Sequence, residues 1–296
     1  HNADRYVKKF STWQLLMVLM YSQITWKDSL REIEIWFNCQ QERRYHLWLK
    51  SCYRNTISNA INNRSYQVFE SLFYKILEWY KEFPSYKLKF DNPLYSLDAT
   101  VIDLCLSMFD WAKFRKEKWA IKMHVLLNND SNIPELINLT EWKEHEINHA
   151  RTITDKLVGW SILTFDRWYY DKVHEVEYEF ITNNFDFTAK TIADIYKSRW
   201  DVELFFKRIK QNLKIKTFLW TSKNAVMIQI WVAMIYYLIL SFIKQKIKTK
   251  HTILKLTRCI REVLMKISPL ISILWLSKKD IDNLNNKWSP WQLSLF

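Results

Sequence analysis

The spacing of apolar residues changes twice along the chain, and this change limits the possible folds more than any other feature of the sequence. Between residues 11 and 83 apolar residues recur at helical spacing with almost no helix-breaking residues, which predicts helices. Pro84 and Pro93 bracket a linker, and short apolar runs typical of strands follow it. Helical spacing returns at Thr188 and continues to about Lys266. The sequence therefore predicts an α/β centre between two helical regions.

Four segments after the linker have the alternating or continuous apolar pattern of strands. They cover residues 95–104, 120–127, 161–166 and 176–183. A polar stretch at 141–151 favours a helix between the second and third of them. Strands and helices that alternate in this way are typical of an α/β domain.

The N-terminal helical region contains a capping signal and a basic segment. Asp28 and Ser29 can cap a helix whose apolar face carries Ile33 and Phe37. Residues 51–64 are short, polar and basic, which suits the second helix of a helix-turn-helix lying against DNA. An ordinary surface helix explains the same segment equally well.

Composition indicates a class of partner and a compartment. A formal net charge of +13 favours a polyanionic partner, nucleic acid first and an anionic membrane surface second. An AT-rich genome, in which lysine and asparagine accumulate, would explain the same positive charge without a polyanionic partner. The four cysteines, Cys39, Cys52, Cys105 and Cys259, form no C-x-x-C pair and suit a reducing compartment. The chain begins at His1 rather than Met, so we expect residues before it.

Two segments match the patterns of other protein classes, and we favour the plainer interpretation of each. Residues 224–243 are long and apolar enough for a membrane span, but Gln229 interrupts them and a buried core helix is the better prediction. H-E-I-N-H places His145, Glu146 and His149 in a zinc-protease pattern. The residues around this motif are polar, so we interpret it as a solvated helix.

The segment from 195 to 215 carries the strongest candidate for a site. On one continuous helix, Tyr196, Arg199, Glu203 and Lys210 fall within an arc of about 60°, and Lys207 adds a further positive charge. Apolar residues beside this face can bury against a sheet: Ile195, Val202, Phe206 and Ile209. A surface helix with salt bridges between successive turns would show the same pattern.

Two further carboxylates favour a functional interpretation of this helix. Asp98 lies within one strand-like run and Asp166 ends another. Three carboxylates from two strands and a helix can bind two Mg²⁺ ions, since hard cations prefer oxygen ligands. Such a pair can activate a water or a 3′-OH and stabilise the leaving oxygen of a phosphodiester. The basic and phenolic groups beside Glu203 would then hold phosphates.

These motifs resemble those of DDE-type bacterial insertion-sequence transposases, whose catalytic helix carries Y-x2-R-x3-E-x6-K. The resemblance extends to S-L-D-A-T-V-I-D-L around Asp98 and to F-D-R-x-Y-Y-D around Asp166. It also includes F-S-T-W near the start and the segment 216–231. It therefore covers almost the whole chain.

The resemblance implies a fold and a set of site residues. The centre would be an RNase H-like domain with a mixed sheet, in an α/β (α+β) chain. Asp98 on the first strand, Asp166 on the fourth and Glu203 on a helix would be catalytic metal ligands. Residues that bind DNA phosphates would be Tyr196, Arg199, Lys207 and Lys210.

The resemblance also implies a reaction and partners. Two Mg²⁺ ions, with Mn²⁺ as a substitute, would support cleavage at transposon ends and strand transfer into target DNA. The partners would be double-stranded DNA and a second copy of the chain, with which this chain would form a homodimer on DNA. The protein would act in the bacterial cytoplasm at the nucleoid, and no membrane partner is expected. The expected parts are a DNA-binding region (1–92), the catalytic domain (93–215) and a helical region (216–296).

The chain departs from the family in the interval before Glu203. Glu203 follows Asp166 by only 37 positions, whereas the family places a longer β-rich insertion there. We therefore hypothesise an internal deletion and a defective copy. The alternative function is that of a non-catalytic DNA-binding remnant.

Glycine and tryptophan usage is the second departure. The chain contains one glycine and 16 tryptophans. The family has glycine at six of these tryptophan positions: Trp26, Trp48, Trp119, Trp142, Trp168 and Trp220. An organism that reads UGA as glycine would produce this pattern when UGA is translated as tryptophan. We therefore expect UGA codons at these six positions.

Overall fold

The structure of the chain, a computed structural model, describes residues 3–41, 48–82, 92–103, 120–141, 157, 161–165, 186–212 and 222–263. In chain order the elements are α1 (Thr12–Thr25), α2 (Leu30–Cys39), α3 (Arg54–Asn63), α4 (Gln67–Lys81), β1 (Leu94–Asp103), β2 (Ala120–Asn128), β3 (Ile133–Glu141), β4 (Ile162–Thr164), α5 (Ala189–Lys197), α6 (Trp200–Asn212), α7 (Lys223–Ile247) and α8 (Ile253–Val263). Helices precede and follow the strands, so the predicted mixed α/β class is confirmed.

The start of helix α2 follows from its local sequence. The Ser29 hydroxyl accepts a hydrogen bond from the Glu32 N–H at 3.2 Å, and the Glu32 carboxylate accepts one from the Asp28 N–H at 3.1 Å. This reciprocal arrangement satisfies two N–H groups at the helix start. Ile33 and Phe37 are buried, as their spacing predicted.

Side chains of helix α2 hold the segment that leads into helix α3. The Asn38 side chain donates to the Cys52 carbonyl at 2.8 Å and accepts from the Cys52 N–H at 3.0 Å. The Glu34 carboxylate accepts from the Arg54 N–H at 3.2 Å. A helix within residues 51–64 is therefore confirmed, whereas its placement against DNA stays a prediction.

The four described strands form one mixed sheet in the order β3-β2-β1-β4. Strand β1 pairs antiparallel with β2, which pairs antiparallel with β3. Strand β4 pairs parallel with the start of β1, from Leu94 opposite Ile162 to Ser96 opposite Thr164. Strand β1 is therefore internal, and Asp98 lies on it opposite Val125.

Three of the four predicted strands are observed with boundaries that shift by one or two residues. The fourth, at 176–183, lies outside the described residues, as does most of the polar stretch at 141–151. Strand β3 was not predicted, because Pro134 and polar residues interrupt its apolar pattern. Proline is tolerated on edge strands, and β3 is at the edge of the described sheet.

The chain divides into two compact units, one of His1–Ile76 with Asn212–Phe296 and the other of Leu77–Gln211. In the first unit helix α7 contacts α1, α3 and α8, and the rings of Phe73 and Trp231 lie 5.4 Å apart between centroids. The second unit contains the sheet, α5 and α6. The division into regions 1–92, 93–215 and 216–296 stays a prediction.

Helix α7 is, within the described ranges, the one helix whose length and composition would suit a membrane span. Its most apolar window has a mean hydropathy of 2.2, and 83% of that window is buried inside the protein. Protein atoms therefore cover its apolar surface, which agrees with the core-helix interpretation.

Candidate active site

Arg199 brings together two of the predicted metal ligands. Its Nη2 lies 2.7 Å from Oε1 of Glu203, at the start of α6, and its Nη1 lies 3.7 Å from Oδ2 of Asp98, on β1. Asp98 and Glu203 are far apart in the sequence, so only the fold can place them at the same cation. The ring of Tyr196 completes the group, with its centroid 5.7 Å from Arg199 Cζ.

The segment predicted as one helix from 195 to 215 is two helices in the structure. Helix α5 ends at Lys197 and α6 begins at Trp200, so Ser198 and Arg199 form a turn. The Asn129 side chain donates to the Ser198 carbonyl at 2.7 Å. In a continuous helix the Ser198 carbonyl would accept a hydrogen bond from the Val202 N–H. Here the Val202 N–H donates to the Arg199 carbonyl instead, at 3.1 Å.

The break preserves the proximity of the signature residues. The Arg199 N–H donates to the Tyr196 carbonyl at 3.0 Å, a spacing of three residues that tightens the turn. Arg199 and Glu203 remain one turn apart and hydrogen-bonded. Lys207 and Lys210 follow about one and two turns beyond Glu203 on α6, Lys207 exposed and Lys210 half-buried.

The apolar side of this segment is buried as predicted. Val202 and Ile209 are fully buried, and Ile195 and Phe206 nearly so. Phe205 is also fully buried, although the proposed helical face did not include it. Glu203 is partly exposed, whereas the Arg199 side chain is itself buried.

The second predicted carboxylate, Asp166, lies outside the described part of the chain. So does the H-E-I-N-H motif at His145, Glu146 and His149, which we interpreted as a solvated helix and not as a site. Strand β4 ends at Thr164, two residues before Asp166. Its position is secured by a 2.9 Å hydrogen bond between the Ser96 and Thr164 hydroxyls, both buried.

Sequence reasoning missed two polar residues beside the turn. Asn129 lies in the β2–β3 connection, where the run N-N-D-S-N indicates a turn but not a contact with residue 198. Burial raises the pKa of the neighbouring Asp201 carboxyl, while the positive charge of Arg208 and a hydrogen bond from Asn129 partly oppose that rise. Neither interaction has a local sequence signal.

The donor set suits a hard divalent cation. Asp98 and Glu203 supply carboxylate oxygens from two different elements, and both already face one positive charge. Oxygen ligands of this type are those that Mg²⁺ and Mn²⁺ prefer. In the described ranges no three His, Cys, Asp or Glu side chains are close enough to form a metal site, and the proposed third ligand lies outside those ranges.

Comparison with protein-family models gives two matches. Residues 170–239 match the transposase DDE domain, and residues 1–50 match a domain of unknown function, DUF4372. The first range contains the turn with Arg199 and all of helix α6. No solved structure matches the chain.

Curated relatives agree with the domain match. The chain is 22% identical to a protein named "Probable transposase for insertion sequence element IS5377" from Geobacillus stearothermophilus, over 67% of this chain and 69% of that protein. It is 41% identical to y4zB of Sinorhizobium fredii over 28% of this chain and 24% of that protein. A protein of the element IS4SA of Synechocystis is 44% identical over 18% of this chain and 15% of its own length. Both of the latter carry the word transposase in their names.

These matches agree with the resemblance of the motifs to insertion-sequence transposases. The signature of Tyr196, Arg199, Glu203 and Lys210, the residues expected before His1 and the internal deletion stay predictions. A transposase DDE domain implies an RNase H-like fold, and the observed mixed α/β structure with its four-stranded mixed sheet agrees with it. The chain is therefore homologous to insertion-sequence transposases.

Proposed function

We propose that the chain is a DNA transposase in which Asp98, Asp166 and Glu203 bind two Mg²⁺ ions, or Mn²⁺ in their place. It would cleave DNA at transposon ends and transfer the strand into target DNA. The observation that carries this proposal is the convergence of Asp98 and Glu203 on the Arg199 guanidinium, in a chain homologous to transposases.

The parallel register of β1 and β4 supports the inclusion of Asp166. Ser96 pairs with Thr164 in this register, with a separation of 68 residues in the sequence. Asp98 and Asp166 are separated by the same number of residues. The three carboxylates would hold the ions, which supply Lewis acidity to the attacking and leaving oxygens when bound.

The cationic and phenolic residues of the segment would position DNA. Tyr196 and Arg199 lie beside the carboxylates, where the phosphate next to the reacting bond would be. Lys207 and Lys210 lie further along α6 and would contact neighbouring phosphates of the same strand. Such contacts place the strand without reading its sequence.

The proposed setting follows from this activity. The partners are double-stranded DNA, as transposon ends and as target, and a second copy of the chain in a homodimer on DNA. The protein would act in the bacterial cytoplasm at the nucleoid. The positive net charge of the chain agrees with a polyanionic partner.

The second candidate is a DNA-binding remnant without catalysis. The short interval of 37 positions from Asp166 to Glu203 favours it, because a deletion there would remove part of the catalytic domain. Such a remnant would keep the basic surface and lose metal-dependent cleavage.

One experiment separates the two candidates. The substrate is duplex DNA carrying the inverted repeats that flank the gene, incubated with Mg²⁺ or Mn²⁺. We expect Asp98→Asn and Glu203→Gln each to lower cleavage by more than about 100-fold, with DNA affinity at fixed salt changed by less than about twofold. The control is Asp194→Asn, which alters an exposed carboxylate of α5.

The possible results assign the function. Cleavage by the wild type that is lost in the two variants but not in the control supports the transposase. Cleavage that persists in Asp98→Asn would contradict the assignment of the site. DNA binding without cleavage by the wild type would favour the remnant.

A further inference from the structure

We propose that Arg199 is an internal cation that holds Asp98 and Glu203 together when no divalent ion is bound, and that it competes with divalent ions for these carboxylates. This inference rests on the proposed metal site. It assigns Arg199 a positioning role that is separate from contact with DNA.

The burial of Arg199 is the first argument. Its side chain is 9% exposed, whereas those of Asp98 and Glu203 are 21% and 37% exposed. A guanidinium removed from water to this extent requires anionic partners to offset the loss of hydration. Asp98 and Glu203 provide two, one from the sheet and one from the helix that follows the turn.

The second argument is that the carboxylates are held in place independently of a metal. Oδ1 of Asp98 accepts a hydrogen bond from the Ala99 N–H at 2.7 Å, while Oδ2 faces Arg199. Asn129 holds the turn that carries Arg199 through the Ser198 carbonyl. Two like charges on separate elements would otherwise repel each other, so Arg199 stabilises the arrangement that a divalent ion requires.

This arrangement couples the ligands of the site. Arg199 would be repelled by a second positive charge bound at Asp98 and Glu203, and its guanidinium would then favour another anion such as a DNA phosphate. A phosphate that binds Arg199 would in turn leave the carboxylates free for the ion. By reciprocity, each ligand would raise the affinity for the other.

The test measures Mn²⁺ affinity of the metal-free protein without DNA, by the electron paramagnetic resonance signal of free Mn²⁺. We expect Arg199→Gln to bind Mn²⁺ about tenfold more tightly than the wild type, because the competing charge is removed. Arg199→Lys, which keeps one charge but cannot bridge both carboxylates, should lie between them. The control is Lys197→Gln, an exposed cation two residues away, with unchanged affinity.

A second measurement separates this role from a merely structural one. In EDTA we expect Arg199→Gln to melt at a lower temperature than the wild type, and saturating Mn²⁺ to remove most of that difference. A structural role alone would lower the melting temperature equally with and without Mn²⁺. If Arg199→Gln does not fold without metal, the affinity of Arg199→Lys decides the question.

The outcomes distinguish failure of this inference from failure of the proposed function. Mn²⁺ binding that is equal or weaker in both Arg199 variants, while the wild type binds Mn²⁺, would overturn the role of Arg199 and leave the metal site standing. The absence of Mn²⁺ binding in the wild type and in both variants would overturn the metal site and the inference together.

Discussion

Trp26 and Trp48 have left-handed backbone conformations, each with φ of 56°. Trp26 caps the end of α1, a position where glycine is strongly favoured. Tryptophans within the described helices, such as Trp13, Trp36 and Trp231, lie outside this conformation. The two positive-φ tryptophans belong to the six positions where the resemblance places glycine, and the other four lie outside the described residues. The backbone therefore supports the hypothesis that glycine belongs at Trp26 and Trp48.

We expect Trp48→Gly to raise the free energy of unfolding by about 1 kcal/mol, because glycine adopts this φ without a steric cost. Trp48 is 89% exposed, so little packing is lost. Chemical denaturation would measure the change. Trp26→Gly should give a smaller gain, because the Trp26 ring lies 4.8 Å from Arg261 Cζ and this contact would be lost.

The matched control is Trp36→Gly, which alters a half-exposed tryptophan inside helix α2. Glycine lowers stability by about 1 kcal/mol at such a position, so the two substitutions should change stability in opposite directions. If Trp48→Gly destabilised the protein as much as Trp36→Gly does, glycine would not be the favoured residue at position 48. UGG codons at positions 26 and 48 would contradict the codon hypothesis directly.

At the scale of elements, the position of strand β4 depends on two buried hydroxyls. The Thr164 hydroxyl lies 2.9 Å from the Ser96 hydroxyl and donates to the Tyr95 carbonyl at 3.1 Å. Strand β4 has three residues, so these bonds are a large share of its attachment to β1. They also set the register that supports Asp166 as the partner of Asp98 in the proposed site.

We expect Thr164→Val to lower the free energy of unfolding by about 1–2 kcal/mol, because it leaves buried polar groups without a partner. The double variant with Ser96→Ala should be at least about 0.5 kcal/mol more stable than the sum of the single changes predicts. Thr100→Val, on a half-buried position of β1, is the control and should change stability by less than about 0.5 kcal/mol. Strictly additive effects would show that the two hydroxyls are not coupled.

At the scale of the whole molecule, the net charge of +13 has a consequence for DNA binding. Contacts with phosphates release counterions, so affinity falls as salt rises, with a slope of about −0.9 per phosphate neutralised. A protein that neutralises six or more phosphates loses affinity by a factor of about 10³ or more between 50 and 200 mM salt. The proposed transposase and the proposed remnant share this property.

We expect the affinity for duplex DNA to show this salt dependence in both the wild type and Asp98→Asn. Lys207→Gln and Lys210→Gln should each reduce the slope by about one if each lysine contacts a phosphate. Fluorescence anisotropy with a labelled duplex at several salt concentrations measures the slope. A slope near zero for the wild type would contradict electrostatic binding of DNA.

Part of the fold and site could be predicted because it depends on local interactions. The Ser29 cap and the burial of Val202 and Ile209 follow from spacings of a few residues, and the positions of β1 and β2 follow from their apolar pattern. Strand β3 escaped prediction because Pro134 is compatible with a strand only at an edge, and edge position is not a local property. The break between α5 and α6 escaped prediction because the turn there bonds a distant residue: the Asn129 side chain, 69 positions earlier, donates a hydrogen bond to the Ser198 carbonyl.

By itself the sequence determined the succession of a helical region, an α/β centre and a second helical region, the Ser29 cap, the positive charge and the family resemblance of its motifs. Periodicity and capping act within one or two turns of chain and are visible in any short window. Only the tertiary structure decided that Asp98 and Glu203 meet at Arg199 and that β4 lies beside β1 in its particular register. The physical reason is that these features depend on strand pairing and on contacts between distant segments, which no local pattern encodes.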